Sequence, residues 1–192
     1  MLVAVYGGSF NPLHYGHIGI AAWVAEHTEV DEVWLMVTPN NPLKNEAILA
    51  DEQQRLQDAR QQIARLQAEQ CNNKAKQHNN IGIARVRVSD FEFSLPRPSY
   101  TANTLRELQK AYPEHSFALL IGQDNWEVRH RWREWEYIQT TFPVYVYPRG
   151  KEGMNEIKRE LENIPADIHL LEDAPLFDIS STQIREQRKQ NK

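Results

Sequence analysis

Cysteine is almost absent. Only Cys71 occurs among 192 residues, which excludes an internal disulfide framework and a Cys-rich zinc site. No apolar run approaches the roughly 18 residues that signal a transmembrane helix, so no membrane partner is expected. A basic excess is also missing. Lys and Arg number 22 against 26 Asp and Glu, a net charge of -4. Domains whose main partner is a nucleic-acid backbone usually carry surplus positive charge, so no nucleic-acid partner is expected either. A small, local anion site remains compatible with that total. The N-terminus MLVAVYGGSF lacks a charged n-region and runs straight into a glycine turn, which is not a signal-peptide pattern. Such a chain is expected in the cytoplasm. Its length suits a single domain over residues 1–192 with a substantial core, ending in a short polar tail from about residue 186.

What the chain does have is alternation. Short apolar runs at Leu2–Tyr6, Glu32–Thr38, Phe117–Ile121, Phe142–Tyr147 and Ile168–Leu171 read as strands, and Ile83–Val88 alternates like one. Helical stretches lie between them. Asp51 is placed to cap a helix in which Leu56, Ala59, Ile63 and Leu66 recur at helical spacing. Thr101–Ala111, Met154–Glu162 and Ser180–Gln187 read as further helices. Gln67–Asn80 is polar and reads as a frayed helix end plus a surface loop. Strand–helix alternation favours a parallel sheet covered by helices on both faces. In such sheets ligands bind beyond the carboxyl ends of the strands, near a topological switch point. Attention therefore falls on the residues after Tyr6, Thr38, Val88, Ile121 and Leu171.

The first of these segments is Gly7-Gly8-Ser9-Phe10-Asn11-Pro12-Leu13-His14-Tyr15-Gly16-His17. It is neither a GxGxxG dinucleotide fingerprint nor a GxxxxGK[ST] P-loop. Gly7 and Gly8 let the backbone approach a ligand closely. His14 and His17, three apart in a first helical turn, can point to one side. Two imidazoles and free N–H groups at a helix start suit a phosphate. The last candidate is Ile179-Ser180-Ser181-Thr182-Gln183-Ile184-Arg185. Ser180 and Gln183 are spaced as a capping box, which is by itself a structural reason for both. The same geometry can bind an anion, with Arg185 one turn in as a forked cation.

These two segments match the HxGH and ISSTxIR signatures, and the chain resembles the nucleotidyltransferase superfamily. Class I aminoacyl-tRNA synthetases share an HxGH-like element, but their KMSKS-type loop is absent here. The intervening segments TPNNPLK (38–44), SDFEF (89–93), PRPSYTANTL (96–105), IGQDNW (121–126) and HRWREWEYI (130–138) are similar to those of bacterial nicotinate-nucleotide adenylyltransferases. The resemblance runs from about Val3 to Arg185. It implies an α/β fold with a Rossmann-like doubly wound parallel sheet of nucleotidyltransferase type. It implies adenylyl transfer from ATP to nicotinate mononucleotide, with Mg²⁺ carried by ATP and no dedicated protein metal cluster. A homo-oligomer stays open. Other readings are a preference for nicotinamide mononucleotide or another phosphorylated acceptor, and a non-catalytic nucleotide-binding relative.

The resemblance also implies roles. His17 would be the principal contact to the reacting phosphate and His14 would assist on the ATP phosphates. Ser180, Ser181, Thr182 and Arg185 would hold the β- and γ-phosphates, and Gly7, Gly8 and Ser9 would line the phosphates by backbone. Gly122 and Asp124 would meet the adenosine, with Asp124 accepting ribose hydroxyls. Asn40 and Lys44 would sit between the two nucleotides. Tyr100 and Thr101 would receive the nicotinate carboxylate, and Trp132 would stack on the pyridine. Thr101 could instead cap the 101–111 helix, and Trp126 and Trp135 read as packing residues. The family pattern differs at one end. Relatives continue past ISSTxIR with a Gly-containing turn and an amphipathic helix, whereas Glu186–Lys192 is basic and polar. Stability and oligomer contacts from such a helix are expected to differ.

Overall fold

The computed structural model describes residues 1–39, 51–72, 81–164, 167–177 and 179–190. Six strands, β1 (Leu2–Gly8), β2 (Glu32–Val37), β3 (Val86–Ser89), β4 (Ser116–Gly122), β5 (Val144–Tyr147) and β6 (Ile168–Leu170), form one sheet. Their order is β3-β2-β1-β4-β5-β6, and every pairing is parallel. The helices are α1 (Tyr15–His27), α2 (Glu52–Asn72), α3 (Thr101–Ala111), α4 (Gln123–Glu127), α5 (Trp135–Thr141), α6 (Lys151–Leu161) and α7 (Ser181–Gln190).

The strands are apolar because both faces of the sheet are covered. Ala4, Leu35, Ala118 and Leu120 pack under α1 and α2 against Val24, Ala25, Ala59 and Ile63. Their strand neighbours Val3, Val5, Phe117, Leu119 and Ile121 pack on the other face against Leu105, Leu108, Ile138 and Ile157. Alternate residues along each strand thus feed two cores, as the period-2 geometry of a strand requires. Each fully buried Leu, Ile or Val contributes about 1.5–3 kcal/mol. This is the doubly wound sheet expected from the alternation.

Helix α1 is enclosed on several sides, and its small residues make that fit. A Cβ on Gly19 would lie 2.3 Å from the Phe177 ring, and one on Gly16 would lie 2.8 Å from Ile179. Gly82 presses on the same helix, where a Cβ would lie 1.9 Å from the Ala22 carbonyl oxygen. That contact explains a difference from the alternation read in Ile83–Val88. Ile81–Arg85 is a 3₁₀ turn, and the strand is confined to Val86–Ser89. Gln67 of α2 fastens the turn by donating to the carbonyls of Ile83 (3.0 Å) and Val86 (2.9 Å). Gly82→Ala should destabilise the fold by about 2 kcal/mol, the usual cost of overpacking. Thermal melting checks this as a fall in Tm of roughly 6 °C.

Two caps follow the sequence reading. Asp51 accepts the N–H groups of Gln53 (2.9 Å) and Gln54 (3.1 Å) at the start of α2. Ser180 and Gln183 form a reciprocal capping box at the start of α7. The Ser180 N–H donates to Gln183 Oε1 at 2.7 Å, and the Gln183 N–H to Ser180 Oγ at 3.2 Å. Among the described residues, no helix is long and apolar enough to cross a membrane.

Candidate active site

The strand order reverses direction between β1 and β4, the switch point of a doubly wound sheet. Pairing of these two strands runs from Leu2 with Ser116 to Val5 with Leu119 and stops there. Gly7 and Gly122, at the two carboxyl ends, have open space where a Cβ would stand. A ligand can therefore meet bare backbone at both positions.

After β1 the chain turns sharply. Phe10 holds a left-handed φ of 43°, a conformation that costs a non-glycine residue about 1–3 kcal/mol and marks functional loops. The turn brings the Phe10 ring edge-on to His17, with centroids 5.1 Å apart. His14 then caps α1 and is 8% exposed. His14 and His17 stack with ring centroids 3.7 Å apart, so the spacing expectation is met. The His14 N–H donates to His17 Nδ1 at 3.4 Å. That bond assigns the proton of a neutral His17 to Nε2, making Nε2 a hydrogen-bond donor.

His14 Nδ1 is buried without a hydrogen-bond partner. Burial, helped by the positive charge of Arg149, lowers the His14 pKa to about 4. The ring is neutral near pH 7 and offers an N–H rather than a full charge. In the unfolded chain it titrates near 6.5, so the native state binds fewer protons across that window. Stability is therefore lost as pH falls from 6.5 toward 4. Arg149→Ala should raise the His14 pKa part of the way back to 6.5. An NMR titration of the ring reads this directly.

The C-terminal segment closes the other side. Tyr147 pins it, donating its hydroxyl to the Pro175 carbonyl (3.0 Å) and accepting the Phe177 N–H (2.9 Å). Ser181 Oγ donates to the Pro12 carbonyl at 3.0 Å. Arg185 donates to the Asn11 carbonyl at 2.6 Å and to Thr182 Oγ1 at 2.9 Å. The two signature segments, separated by nearly the whole chain, thus meet beside His14. The guanidinium has five N–H donors, and two of these bonds leave capacity for an anion. Ser180 Oγ accepts the Gln183 N–H in the capping box, which leaves its O–H able to donate, whereas the Ser181 O–H is given to the Pro12 carbonyl.

Asp124, expected to meet a ribose, is ion-paired with Arg149 at 2.6 Å. Both side chains are at least half exposed, so the pair is worth about 0–1 kcal/mol and is easily exchanged for a ligand. Asn40 and Lys44 lie outside the described residues.

At the carboxyl ends of β1 and β4 lies a cavity of about 620 Å³, reaching from Gly7 to Tyr100, Thr101 and Trp132. Its volume suits a small-molecule ligand. Tyr100, not Thr101, is the N-cap of α3, and no side chain caps that helix. The capping role weighed for Thr101 is absent, and Tyr100, Thr101 and Thr104 at the start of α3 line the cavity. The tryptophans separate as expected. Trp126 and Trp135 are core residues, whereas Trp132 is half-buried on the cavity wall, edge-on to Trp135 at 6.0 Å.

Three residues escaped the sequence reading. Arg149 pairs with Asp124 and bears electrostatically on His14. Arg55 of α2 is 3% exposed and ties two loops together. It donates to the Ser9 carbonyl, to that of Thr38 (3.0 Å) and to that of Pro39 (3.1 Å). Glu92 is 4% exposed and lines the cavity. Arg55 and Arg149 belong to no local motif that would have singled them out, and Glu92 lies inside the SDFEF segment without a role having been read from it. Among the described residues, no group of three or more His, Cys, Asp or Glu could hold a metal ion.

The chain matches the cytidylyltransferase-like family over residues 5–187, so fold and site define a nucleotidyltransferase. It is 46% identical over 182 residues to a protein of Bacteroides fragilis named "Probable nicotinate-nucleotide adenylyltransferase", covering 95% of this chain and 79% of that one. A protein of the same name from Flavobacterium johnsoniae is 40% identical, covering 100% and 89%. The chain belongs to the nicotinate-nucleotide adenylyltransferase family. Its fold is shared with Plasmodium falciparum nicotinic acid mononucleotide adenylyltransferase. The structure complexed with NaAD has a TM-score of 0.72 at 18% identity, covering 96% of this chain and 82% of that one. The structure complexed with APC has a TM-score of 0.69 at 20% identity, with the same coverage.

Proposed function

We infer that the protein transfers the adenylyl group of ATP to nicotinate mononucleotide, giving deamido-NAD and pyrophosphate in NAD biosynthesis. The observation that carries this reading is that Ser181 and Arg185 bind the Asn11–Pro12 turn leading into the stacked His14–His17 pair, on a chain whose Gly7 also lines a nucleotide-sized cavity.

The mononucleotide's 5′-phosphate oxygen attacks the α-phosphorus of ATP, and pyrophosphate leaves from the opposite side. The nucleophile is already ionised at neutral pH, so no general base is needed. What the transition state needs is alignment and positive charge around the α-phosphate and the leaving group. His17 Nε2–H donates to the reacting phosphate, and neutral His14 donates beside it. Arg185, Ser180, Ser181 and Thr182 hold the β- and γ-phosphates, Ser181 through its backbone at the start of α7, while Gly7, Gly8 and Ser9 line the phosphates by backbone. Gly122 and Asp124 receive the adenosine, and Asn40 and Lys44 bridge the nucleotides. Tyr100 and Thr101 hold the nicotinate carboxylate at the start of α3, where helix N–H groups favour an anion. Trp132 stacks on the pyridine, worth about 0.5–1.5 kcal/mol beyond its buried area. Mg²⁺ enters on ATP. The phosphate region offers donors and a cation rather than converging carboxylates, which suits a metal held by phosphate oxygens and water. The single cysteine supports a cytoplasmic setting.

Pyrophosphate release tests the reading, with ATP, Mg²⁺ and three acceptors in turn: nicotinate mononucleotide, nicotinamide mononucleotide and phosphopantetheine. Release fastest with the nicotinate compound is expected. Equal rates with the two pyridine nucleotides would remove carboxylate recognition by Tyr100 and Thr101.

A further inference from the structure

The acceptor cavity has a polar floor that the roles above do not use. Glu92 sits there, 4% exposed. Its Oε1 accepts the Thr104 hydroxyl at 2.7 Å. Its Oε2 is buried without a hydrogen-bond partner, and so is Ser99 Oγ. Glu92, Ser99, Thr104 and the Tyr100–Thr101 turn all line the same cavity. A buried polar atom left without a partner costs about 1–3 kcal/mol, so the pair of open atoms points to a ligand group or a bound water.

We propose that Glu92 is a specificity-determining residue: its carboxyl, on the floor beside the Tyr100–Thr101 turn, sets the preference between a carboxylate and a carboxamide on the acceptor's ring. The proposal rests on the adenylyl-transfer reading above. A carboxylate entering this cavity shares it with Glu92, whose side chain is almost fully shielded from water. If Glu92 were ionised, two like charges would share the site, and one of them would have to take up a proton. A protonated Glu92 removes that repulsion and turns the open Oε2 into a donor. A carboxamide carries no charge and can pair with either form, its N–H donating to an ionised Glu92 or its C=O accepting from a protonated one, so it escapes the repulsion.

The surroundings favour the protonated form. Burial pushes the Glu92 carboxyl above the usual carboxylate range, against the hydrogen bond from Thr104 and the influence of the nearby Thr38 and Ser99 hydroxyls. Arg131 and Arg133 line the cavity from the segment after α4. Asp90, two residues before Glu92, pairs with Arg60 of α2 at 2.8 Å. Arg55 of α2 is turned to the carbonyls of Ser9, Thr38 and Pro39. From α3 and from the end of β2, the groups beside Glu92 are the hydroxyls of Thr104 and Thr38.

The test is the ratio of kcat/KM for nicotinate mononucleotide to that for nicotinamide mononucleotide, measured from about pH 6 to about pH 9. The 5′-phosphate titrates in both acceptors and cancels in the ratio. In the native protein the ratio should fall by on the order of ten-fold as pH rises and Glu92 gives up its proton, above the usual carboxylate range, as expected for one like charge at close quarters. Glu92→Gln is neutral throughout, so its ratio should be flat. A flat ratio in the native protein overturns the proposal without recourse to any variant. So does an unchanged fall in a folded Glu92→Gln protein. Absence of pyrophosphate release with either nucleotide at every pH overturns the adenylyl-transfer reading itself, and this proposal with it.

Discussion

His17→Ala should slow turnover about 10²–10³-fold, the usual cost of removing one aligned donor from a charge-developing transition state. Three contacts aim this ring. Phe10 packs edge-on against one side of it, His14 stacks on it, and its Nδ1 accepts the His14 N–H. The last bond leaves Nε2–H as the donating edge. Because the ring is half-buried at the start of α1 rather than central to either core, the variant should fold. Steady-state kinetics with circular dichroism checks both parts. A variant with near-native kcat and an intact spectrum would take His17 out of the chemistry. His17→Asn, which keeps an N–H donor of shorter reach, should recover part of the loss.

Arg55→Met should be costly for a different reason. It is expected to destabilise the fold by about 3 kcal/mol, because buried carbonyls lose a charged donor and gain none. Those carbonyls belong to Ser9 in the loop after β1 and to Thr38 and Pro39 after β2. Arg55 therefore sets the distance between the histidine loop and the start of the segment carrying Asn40 and Lys44. Burial lowers the pKa of its guanidinium, against the attraction of Glu52 and Asp51, but an arginine so placed stays charged. Urea unfolding measures the stability loss. Kinetics at a temperature where the variant is still folded should show KM raised for both substrates, since both loops are released. A stability loss with unchanged KM values would confine Arg55 to a purely structural role.

The fold and much of the site were legible in the sequence because both are written locally. A parallel sheet buried on two faces leaves continuous apolar runs, and β1, β2 and β4 were visible for that reason. His14 and His17 follow from one helical turn, and the Ser180–Gln183 capping box follows from a spacing of three. The strand expected over Ile83–Val88 was half wrong. Alternation cannot register that Gly82 must seat its backbone on the carbonyl of Ala22. The short helices α4 and α5 were not anticipated, since 5 and 7 residues are too few to show a period. Glu92 lay in the SDFEF segment but its role did not show, and Arg55 and Arg149 were invisible for a related reason. Each is a single charged residue whose meaning lies in distant partners. Arg55 bonds to a carbonyl 46 residues away, and Arg149 acts on His14 through space. Arg185 shows both sides of this. Its motif marked it for phosphate, and the structure adds that it also braces the Asn11 carbonyl.

The central claim is that two ends of one chain converge to join two nucleotides. Chromatography of the products after incubation with ATP, Mg²⁺ and nicotinate mononucleotide tests it most directly. The expected result is a dinucleotide with the mass of deamido-NAD, formed one for one with pyrophosphate and lost in the His17→Ala protein. Consumption of ATP without any dinucleotide, or no consumption at all, would contradict the account.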